Sequence, residues 1–260
     1  MKTAPCLHNS VCVVMATVGT VIAFVLVIAL AVVAIVLAGV CYTKLEKSSG
    51  SRSSNLAPPL PPPFPVPTFH VLIATAGRPS LKRMLDSLLP QLTATDAVTI
   101  VFDGPGARAK STFAPDWIMV PTRACAVHVR DQVPNLGFFG HGIRNKYQMQ
   151  LGTQTTYVMH ADDDDVYTPG AFDSLRALCT DPETLYIAQF STQGALLPQP
   201  GKMRIEMGNI GTPCGVVPFA AAGKGVWAPQ RGGDYMYFHD LEAAAIPVKF
   251  LQCVIYSVRP

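Results

Sequence analysis

Four consecutive aspartates, Asp162–Asp165, directly follow the segment YVMHA, Tyr157–Ala161. Only 14% of the 260 residues are charged, so four adjacent carboxylates need an explanation. Successive carboxylates repel one another unless a cation or hydrogen-bond donors neutralise them, and a hard divalent ion such as Mg²⁺ or Mn²⁺ prefers oxygen ligands of this kind. The run could therefore hold a metal ion. Alternatively, it is an exposed acidic turn before a helix, where negative charge is also favourable.

Apolar segments around the acidic run predict the strands that must position it. They alternate with helical patterns, which is typical of a mostly parallel α/β sheet. In such sheets ligands bind beyond the carboxyl ends of the strands, and both Asp103 and the acidic run follow strand ends. The four predicted strands cover residues 69–74, 97–102, 125–129 and 155–159.

Two helices are predicted from periodic apolar residues and start signals. Ser80 is expected to cap the first, because leucines spaced along residues 81–92 share one helical face. Thr168 and Pro169 are expected to supply a cap and a first-turn proline for the second. The apolar residues that this second helix would present are Phe172, Leu175 and Cys179.

The N-terminal quarter of the chain differs in composition from the rest. After a short tail, residues 1–10, no charged residue occurs from Val11 to Thr43, which is longer than the roughly 20 residues that cross a bilayer. We therefore expect a single transmembrane helix at 11–43. A Ser/Pro-rich stem, 44–67, follows, with seven prolines in its last ten residues that favour an extended spacer or, alternatively, a ligand for a proline-binding module. Residues 68–260 suffice for one domain.

Cysteines and basic residues limit the other function classes. The four cysteines beyond the stem, Cys125, Cys179, Cys214 and Cys253, allow up to two disulfides in three pairings. No C-x-x-C spacing is present, which argues against a structural zinc site. The basic residues form no long run, so we predict no nucleic-acid partner.

Three segments, taken in order, resemble a known family. They are VLIATAGRPSLKRMLDSLLPQL, VTIVFDG and IRNKYQMQLGTQTTYVMHADDDDVYTPGAF, and together they resemble the nucleotide-sugar half of glycosyltransferases with the GT-A fold, especially those of family 2 type. The resemblance covers Phe69 to Leu178. It implies a Rossmann-like α/β/α sandwich with a mostly parallel central sheet, divided into a nucleotide-sugar half (68–180) and an acceptor half (181–260). It also implies Mn²⁺ or Mg²⁺ and a nucleoside diphosphate-sugar donor.

The resemblance assigns unequal roles to the four aspartates. Asp162 and Asp164 match the family's Asp-x-Asp motif, and Asp165 matches its common third acid. Asp164 is thus expected to bind the metal ion, Asp162 to bind the ribose or the metal ion, and Asp165 to support them as a metal ligand. Asp163 is expected to point away, because side chains alternate along a strand.

Other nucleotide-binding candidates lie in the loops that precede the acidic run. Asp103 matches the second acid of the family's aspartate pair and could bind the base or ribose, or be a turn residue in FDGPG. Thr75 and Arg78 lie where the family's nucleotide pocket begins, and Arg78 could pair with the ligand or with the acidic run. Arg144, which with Asn145 resembles an Ala-Arg-Asn element, offers a planar donor fork for a diphosphate or an acid, or is a helix-surface arginine.

An inverting transfer also needs a base for the acceptor hydroxyl. Asp234 is our candidate, since the family often has Glu-Asp where this chain has Gly233-Asp234; alternatively it is a helix N-cap. Asp240 is a second candidate. His239 could be an additional metal ligand or a structural histidine.

Two further aromatic side chains are assigned from their positions. His160, directly before the acidic run, is interpreted as a core residue or as one that supports the acids. Trp227 could be a platform on which a sugar stacks, or a core residue. The acceptor half carries little of the resemblance, so the acceptor is predicted only as a glycan, protein or lipid hydroxyl.

The sequence thus predicts a membrane-anchored, metal-dependent glycosyltransferase. The order of anchor, stem and domain resembles single-pass type II enzymes of the secretory pathway with a lumenal catalytic domain and oxidised cysteines. The thin positive charge excess after the anchor would instead weakly keep the domain in the cytosol. Two alternatives remain: a nucleotidyltransferase, which would want a more glycine-rich first loop, and a non-catalytic, membrane-tethered module that binds Ca²⁺ or sugar.

Overall fold

The computed structural model describes residues 66–118, 125–152 and 154–259. The predicted tail and anchor and nearly all of the stem lie outside these ranges, so they stay predictions. Within the described ranges, no helix has both the length and the apolar character needed to cross a membrane.

The described residues form one sheet of nine strands. The four predicted strands are all present, although the third and fourth each begin and end later than expected. The strands are β1 (Phe69–Thr75), β2 (Ala97–Asp103), β3 (Ala126–Gln132), β4 (Tyr157–Asp162), β5 (Val166–Tyr167), β6 (Leu185–Thr192), β7 (Ala195–Leu197), β8 (Gly215–Pro218) and β9 (Val248–Val258).

Five α-helices and several short 3₁₀ segments connect the described strands. The 3₁₀ segment that matters most for the site is Phe138–Gly140, immediately before α3. The α-helices are α1 (Leu81–Leu88), α2 (Ala107–Lys110), α3 (His141–Tyr147), α4 (Ala171–Leu178) and α5 (Gly233–Ala243).

The sheet changes character between the two halves of the domain. Its order is β3-β2-β1-β4-β8-β6-β9-β5, with β7 paired to β6. The strands β3, β2, β1 and β4 pair in parallel, as predicted for the first half. In the second half β6 and β9 are parallel, whereas β8, β7 and β5 pair antiparallel. The parallel half therefore has the α/β topology that places ligand sites at strand ends.

The carboxyl ends of β1, β2 and β4 meet at one edge of this sheet. Thr75, Asp103 and Asp162 are the last residues of these strands. The register pairs Thr75 with Phe102 and Ala74 with Asp162. Three of the predicted site residues are thus brought to one edge by strand pairing alone.

The helices cover the sheet as the apolar patterns predict, but the residues predicted to cap them do not do so. In α1 the side chains of Leu81, Met84, Leu85 and Leu88 are buried, which is one face at helical spacing. Ser80 precedes α1 without a side-chain capping bond, so the predicted cap is wrong.

The second predicted helix starts later than its signals indicate. The Thr168 hydroxyl donates to the carbonyl of Val254 on β9 at 2.7 Å, and α4 begins at Ala171 after Gly170, whose φ is +76°. The Thr168 cap is therefore wrong because a tertiary partner takes its hydroxyl. The predicted apolar face, Phe172, Leu175 and Cys179, is buried.

The expectation of oxidised cysteines is not met. Among the described residues no disulfide joins the four cysteines, and Cys179, Cys214 and Cys253 carry free thiols. Burial raises the pKa of Cys214 to about 12, so its thiol stays protonated and unreactive.

Candidate active site

The acidic run forms a tight turn between β4 and β5, and arginines neutralise it. Arg78, in the loop after β1, places its two terminal nitrogens 2.5 Å from Asp163 Oδ1 and 2.5 Å from Asp164 Oδ2. Of the two roles considered for Arg78, pairing with the acidic run is the one observed. Arg259 Nε lies 3.4 Å from Asp164 Oδ2, and Arg83 donates to the Asp164 carbonyl at 2.8 Å.

Asp163 faces inward, contrary to the prediction. Its side chain is fully buried and accepts a short hydrogen bond from the Thr75 hydroxyl. Burial raises the pKa of Asp163, opposed by Thr75 and Arg78. The prediction fails because β4 ends at Asp162, so strand alternation no longer governs the next residue. Thr75 is correspondingly buried and holds the turn.

Asp162 is paired with Arg144 on α3. The fully buried guanidinium of Arg144 donates from Nη2 to Asp162 Oδ1 at 2.5 Å and from Nη1 to the Phe139 carbonyl at 2.8 Å. It lies 4.9 Å from the centre of the Trp227 ring. Arg144 is therefore not a surface arginine, and both of its terminal nitrogens already have partners. By binding Asp162 it fixes the orientation of that carboxylate.

Asp165 is less accessible than Asp162 and Asp164. It is buried, and its Oδ1 accepts a hydrogen bond from the Arg259 amide at 2.9 Å. Burial raises the pKa of Asp165 to about 7, with Asp162 and Asp164 adding to the rise. The predicted ligand set of three carboxylates is therefore corrected to a pair, and in the described ranges no group of three or more His, Cys, Asp or Glu side chains could hold a metal ion.

The remaining pair fits a hard divalent ion. The side chains of Asp162 and Asp164 are 30% and 20% exposed. Each has one oxygen, Oδ2 of Asp162 and Oδ1 of Asp164, that receives no hydrogen bond or ion pair from a described residue. Mg²⁺-like ions typically use one or two protein carboxylates and complete their shell with water and substrate phosphates. Two open carboxylate oxygens match that requirement.

Asp103 holds a loop instead of presenting a free carboxylate. Its Oδ1 accepts from the Leu136 amide at 2.7 Å and its Oδ2 from the Gly137 amide at 2.9 Å, while Asn135 donates to its carbonyl at 3.1 Å. The role observed is thus to bind the loop before α3. Direct contact with a base or ribose stays a prediction.

That loop has an unusual backbone. Gly137, Phe138, Phe139 and Gly140 all have positive φ, at 64°, 51°, 54° and 81°. Left-handed conformations are costly for non-glycine residues and persist where the surroundings impose them, often at functional sites. Here Asp103 binds one end of the loop and Arg144 binds the Phe139 carbonyl. The Phe139 ring is left 78% exposed.

A cavity of about 130 Å³ opens at this edge of the sheet. Its lining combines the first loop, the end of β4 and the loop before α3. The residues that matter here are Thr75, Arg78, Asp103, Asn135, Phe139 and Asp162. Four of the predicted nucleotide-binding residues therefore share one cavity, while Arg144 lies behind Asp162.

One face of α3 and the residues just after it bind the segment around Trp227. Asn145 exchanges hydrogen bonds with the Trp227 backbone, and Gln148 accepts from Trp227 Nε1 at 3.3 Å. The Trp227 ring is fully buried, with Tyr237 stacked 4.4 Å away. Trp227 cannot be a sugar platform, because both its faces are covered; the core interpretation is confirmed.

Asp234 lies in the first turn of α5 and is partly exposed. Gly232, with φ of +79°, is the N-cap, so Asp234 is not one. The Asp234 and Asp162 charges both act on His141, the first residue of α3. The candidate base and the acidic turn are therefore both near one histidine.

The other candidates have structural partners. Asp240 accepts from the Val226 amide at 3.1 Å, and the exposed His239 packs against Tyr235 at 5.6 Å. His160 is buried against Trp227 and Tyr237, as the core interpretation predicts.

His141 and Asn135 are the site residues that sequence reasoning missed. Both belong to NLGFFGHGI, a glycine-rich segment directly before Arg144-Asn145. Three glycines in that segment were a signal that backbone there approaches other groups closely. The partners themselves, Asp103 and Ala228, are distant in sequence, so no local pattern indicates them.

Comparison with known proteins supports the fold. No protein-family model matches the sequence, and no curated protein matches it either. A mannosyltransferase from Pyrobaculum calidifontis, solved with GDP-Man and Mn²⁺, is similar over 85% of this chain with 12% identity and a TM-score of 0.58. Rv0371C from Mycobacterium tuberculosis H37Rv, solved with manganese, matches 74% of this chain and 92% of its own length, with 16% identity and a TM-score of 0.41.

The first of these similarities shows the fold. The GT-A-like fold of nucleotide-sugar transferases, implied by the sequence resemblance, is confirmed. The chain spans 64% of the length of the mannosyltransferase, so the activity of that whole protein does not transfer with the fold.

Proposed function

We propose that this chain is a divalent-metal-dependent glycosyltransferase that moves a sugar from a nucleoside diphosphate-sugar to an acceptor hydroxyl with inversion. One observation carries the proposal: Asp162, with an open carboxylate oxygen, lines a cavity at the carboxyl ends of β1, β2 and β4. The GT-A-like fold supports it, as does the similar mannosyltransferase, which was solved with GDP-Man and Mn²⁺.

In this proposal the chain's own residues bind and orient the donor. Asp162 and Asp164 would hold Mn²⁺ or Mg²⁺, which when bound supplies positive charge for the leaving diphosphate. Arg144 keeps Asp162 in one orientation, and Arg78 lies beside the same carboxylates to balance charge. Asp103 shapes the nucleotide cavity by binding the loop before α3. Asp234, which like Asp162 lies near His141, is proposed as the base for the acceptor hydroxyl.

Membrane anchoring is part of the same proposal. The uncharged segment 11–43 would anchor the chain, with the stem 44–67 separating the domain from the bilayer. A lumenal domain is proposed from this order of segments; the free thiols of Cys179, Cys214 and Cys253 lend it no support. Protease protection of the domain in sealed vesicles would test the orientation.

The enzyme proposal is tested with the full chain in detergent and a panel of UDP- and GDP-sugars with Mn²⁺. Donor binding and slow donor hydrolysis are measured for the wild type, Asp164→Asn, Asp234→Asn and the control Asp173→Asn. Asp173 is a matched control because it is a highly exposed aspartate on α4. We expect Asp164→Asn to lose metal-dependent donor binding and Asp234→Asn to bind donor but lose hydrolysis.

Three outcomes would contradict parts of this proposal. Metal binding without turnover of any donor would favour the non-catalytic module. Donor hydrolysis at the wild-type rate by Asp164→Asn would contradict the proposal that Asp164 is a metal ligand. Donor hydrolysis at the wild-type rate by Asp234→Asn would contradict the proposal that Asp234 is the base, and a retaining mechanism would again have to be considered.

A further inference from the structure

His141 is an almost buried histidine that directly follows Gly140, a residue that lines the cavity of the proposed site. It is 5% exposed, and its ring centre lies 5.6 Å from that of Trp227 and 6.3 Å from that of Phe139. Gly140 also ends the loop with positive φ values. The ring is therefore held between the loop that lines the donor cavity and the core of the acceptor half.

One hydrogen bond fixes which ring nitrogen carries the proton. Nδ1 of His141 lies 2.7 Å from the Ala228 carbonyl oxygen. A carbonyl only accepts hydrogen bonds, so Nδ1 must donate, and in the neutral ring Nε2 then carries the lone pair. No described residue forms a hydrogen bond with Nε2, and Nε2 is not among the buried atoms that lack a partner. The basic nitrogen is therefore the one that remains open.

The start of α5 lies directly against this ring. A Cβ atom added at Gly233 would be 2.6 Å from His141 Cε1 and 2.3 Å from the Ala228 carbonyl oxygen. Only a residue without a side chain fits there, and the next residue is Asp234. The close approach therefore brings the N-terminal turn of α5 to the imidazole.

Charges from three elements act on the ring. Arg144 comes from α3 itself, Asp162 from β4 and Asp234 from α5. Burial and then Arg144 lower the pKa of His141, while the Ala228 hydrogen bond and the two carboxylates oppose the change. The net lowering leaves the ring neutral at neutral pH, so its open nitrogen is a hydrogen-bond acceptor there.

We propose that His141 is a further catalytic residue: its Nε2, rather than the carboxylate of Asp234, accepts the proton of the acceptor hydroxyl directly, and Asp234 acts in this transfer through the ring of His141. The inference rests on the proposed function. As the acceptor oxygen bonds to the anomeric carbon, its O–H bond breaks and the proton moves to Nε2. The bond from the anomeric carbon to the diphosphate breaks, and its electron pair leaves with the diphosphate. Asp162 and Asp234 then stabilise the imidazolium.

The test distinguishes the role of Nδ1, which binds the Ala228 carbonyl, from that of Nε2, the proposed base. In His141→Asn the Nδ2 amide group takes the place of Nδ1 and can still donate to the Ala228 carbonyl, but nothing replaces Nε2. In His141→Ala both are lost. His239→Asn, on the exposed side of α5, is the control. Hydrolysis of the donor identified with the wild-type panel is measured in the full chain, with water as the acceptor.

We expect His141→Asn to bind donor like the wild type but to hydrolyse it about 10²-fold or more slowly, as for the loss of a general base. The wild-type rate should fall as the pH drops through the lowered pKa of His141, and His141→Asn should lack that fall. If Asp234 acts through His141, Asp234→Asn in the His141→Asn background should add little further loss.

Other results would overturn the inference. If His141→Asn hydrolyses donor as fast as the wild type and only His141→Ala is impaired, the ring merely supports the Ala228 segment. That result leaves the proposed function intact, because the wild type is then active. If the wild type neither binds nor hydrolyses any donor, the proposed function fails, and the inference that rests on it fails too.

Discussion

Asn145 and Trp227 bind each other through two hydrogen bonds although they are 82 residues apart in the chain. The Asn145 amide donates to the Trp227 carbonyl at 2.8 Å, and its oxygen accepts from the Trp227 amide at 2.9 Å. This pair joins α3, which carries Arg144, to the segment that leads into Asp234. The donor side and the acceptor side of the proposed site are thus connected by one side chain.

Asn145→Ala tests that connection. It removes both bonds and leaves the backbone groups of Trp227 without their partners, so we expect a loss of about 2 kcal/mol in the free energy of unfolding. Donor hydrolysis should fall more than donor binding, because Asp234 is displaced and Asp164 is not. Chemical denaturation and donor kinetics would measure the two effects.

Gln150→Ala is the control for Asn145→Ala. Gln150 is an exposed neighbour whose amide donates to the Lys146 carbonyl at 2.8 Å, so its loss should change stability by less than about 0.5 kcal/mol. Equal effects of the two substitutions would show that the bonds to Trp227 have no special role.

Alanine substitutions at two glycines can distinguish the cost of backbone strain from the cost of a close contact at Gly140, in the loop before α3. Gly140 and Gly194 have nearly the same φ, +81° and +78°. An added Cβ at Gly140 would be 2.6 Å from the Ala74 Cβ, whereas one at Gly194 would have no neighbour within 4 Å. We expect Gly194→Ala to cost about 1 kcal/mol, from strain alone. Gly140→Ala should cost about 3 kcal/mol, since overpacking is added.

Thermal unfolding of both glycine variants would measure this difference, and nucleotide binding should weaken only in Gly140→Ala, which borders the cavity. If both variants lose the same stability, the contact between Gly140 and Ala74 is not close in solution.

The free energy of unfolding at acidic pH should depend on His70. Its Nε2 lies 2.8 Å from the Thr99 hydroxyl, and burial, followed by repulsion from His128, lowers its pKa to about 4. The pKa of a histidine in the unfolded chain is about 6.5, so between about pH 4 and about pH 6.5 the unfolded chain binds a proton at this position and the folded chain does not. Stability should fall as the pH drops from about 6.5 to 4, by up to about 3 kcal/mol from this residue.

His70→Gln removes this titration and can keep a hydrogen bond to Thr99. The difference in unfolding free energy between variant and wild type should thus shift in favour of the variant as the pH falls. His239→Gln, an exposed control, should run parallel to the wild type. A parallel curve for His70→Gln would show that His70 takes up its proton readily in the folded state. Urea unfolding at several pH values gives the comparison.

The sequence predicted what strand ends and apolar periodicity determine. Asp103 and Asp162 were placed correctly because parallel pairing brings the carboxyl ends of adjacent strands together. Asp163 was placed wrongly because its position depends on Thr75, 88 residues earlier, and not on strand alternation. The role of Trp227 was left open between a sugar platform and the core, and His141 was missed, because their surroundings come from segments far apart in the chain. Such contacts form only when the two halves pack, and no local pattern shows them.

Arg78 and Arg144 have a consequence for how the acidic turn responds to metal ions. Because Arg78 binds Asp163 and Asp164, and Arg144 binds Asp162, the turn carries its own counter-ions as part of the chain. Structural zinc sites differ, since there folding itself depends on the metal. We expect a chelator to leave the thermal unfolding midpoint unchanged while it abolishes donor binding. A large drop in the midpoint would contradict this.

A cation that binds the open Oδ1 of Asp164 is also repelled by the guanidinium of Arg78, which is already bound to Oδ2. Arg78→Gln should therefore bind Mn²⁺ alone more tightly than the wild type does, a change that isothermal titration would detect. The charge of a single arginine side chain would then set how tightly the acidic turn holds its metal ion.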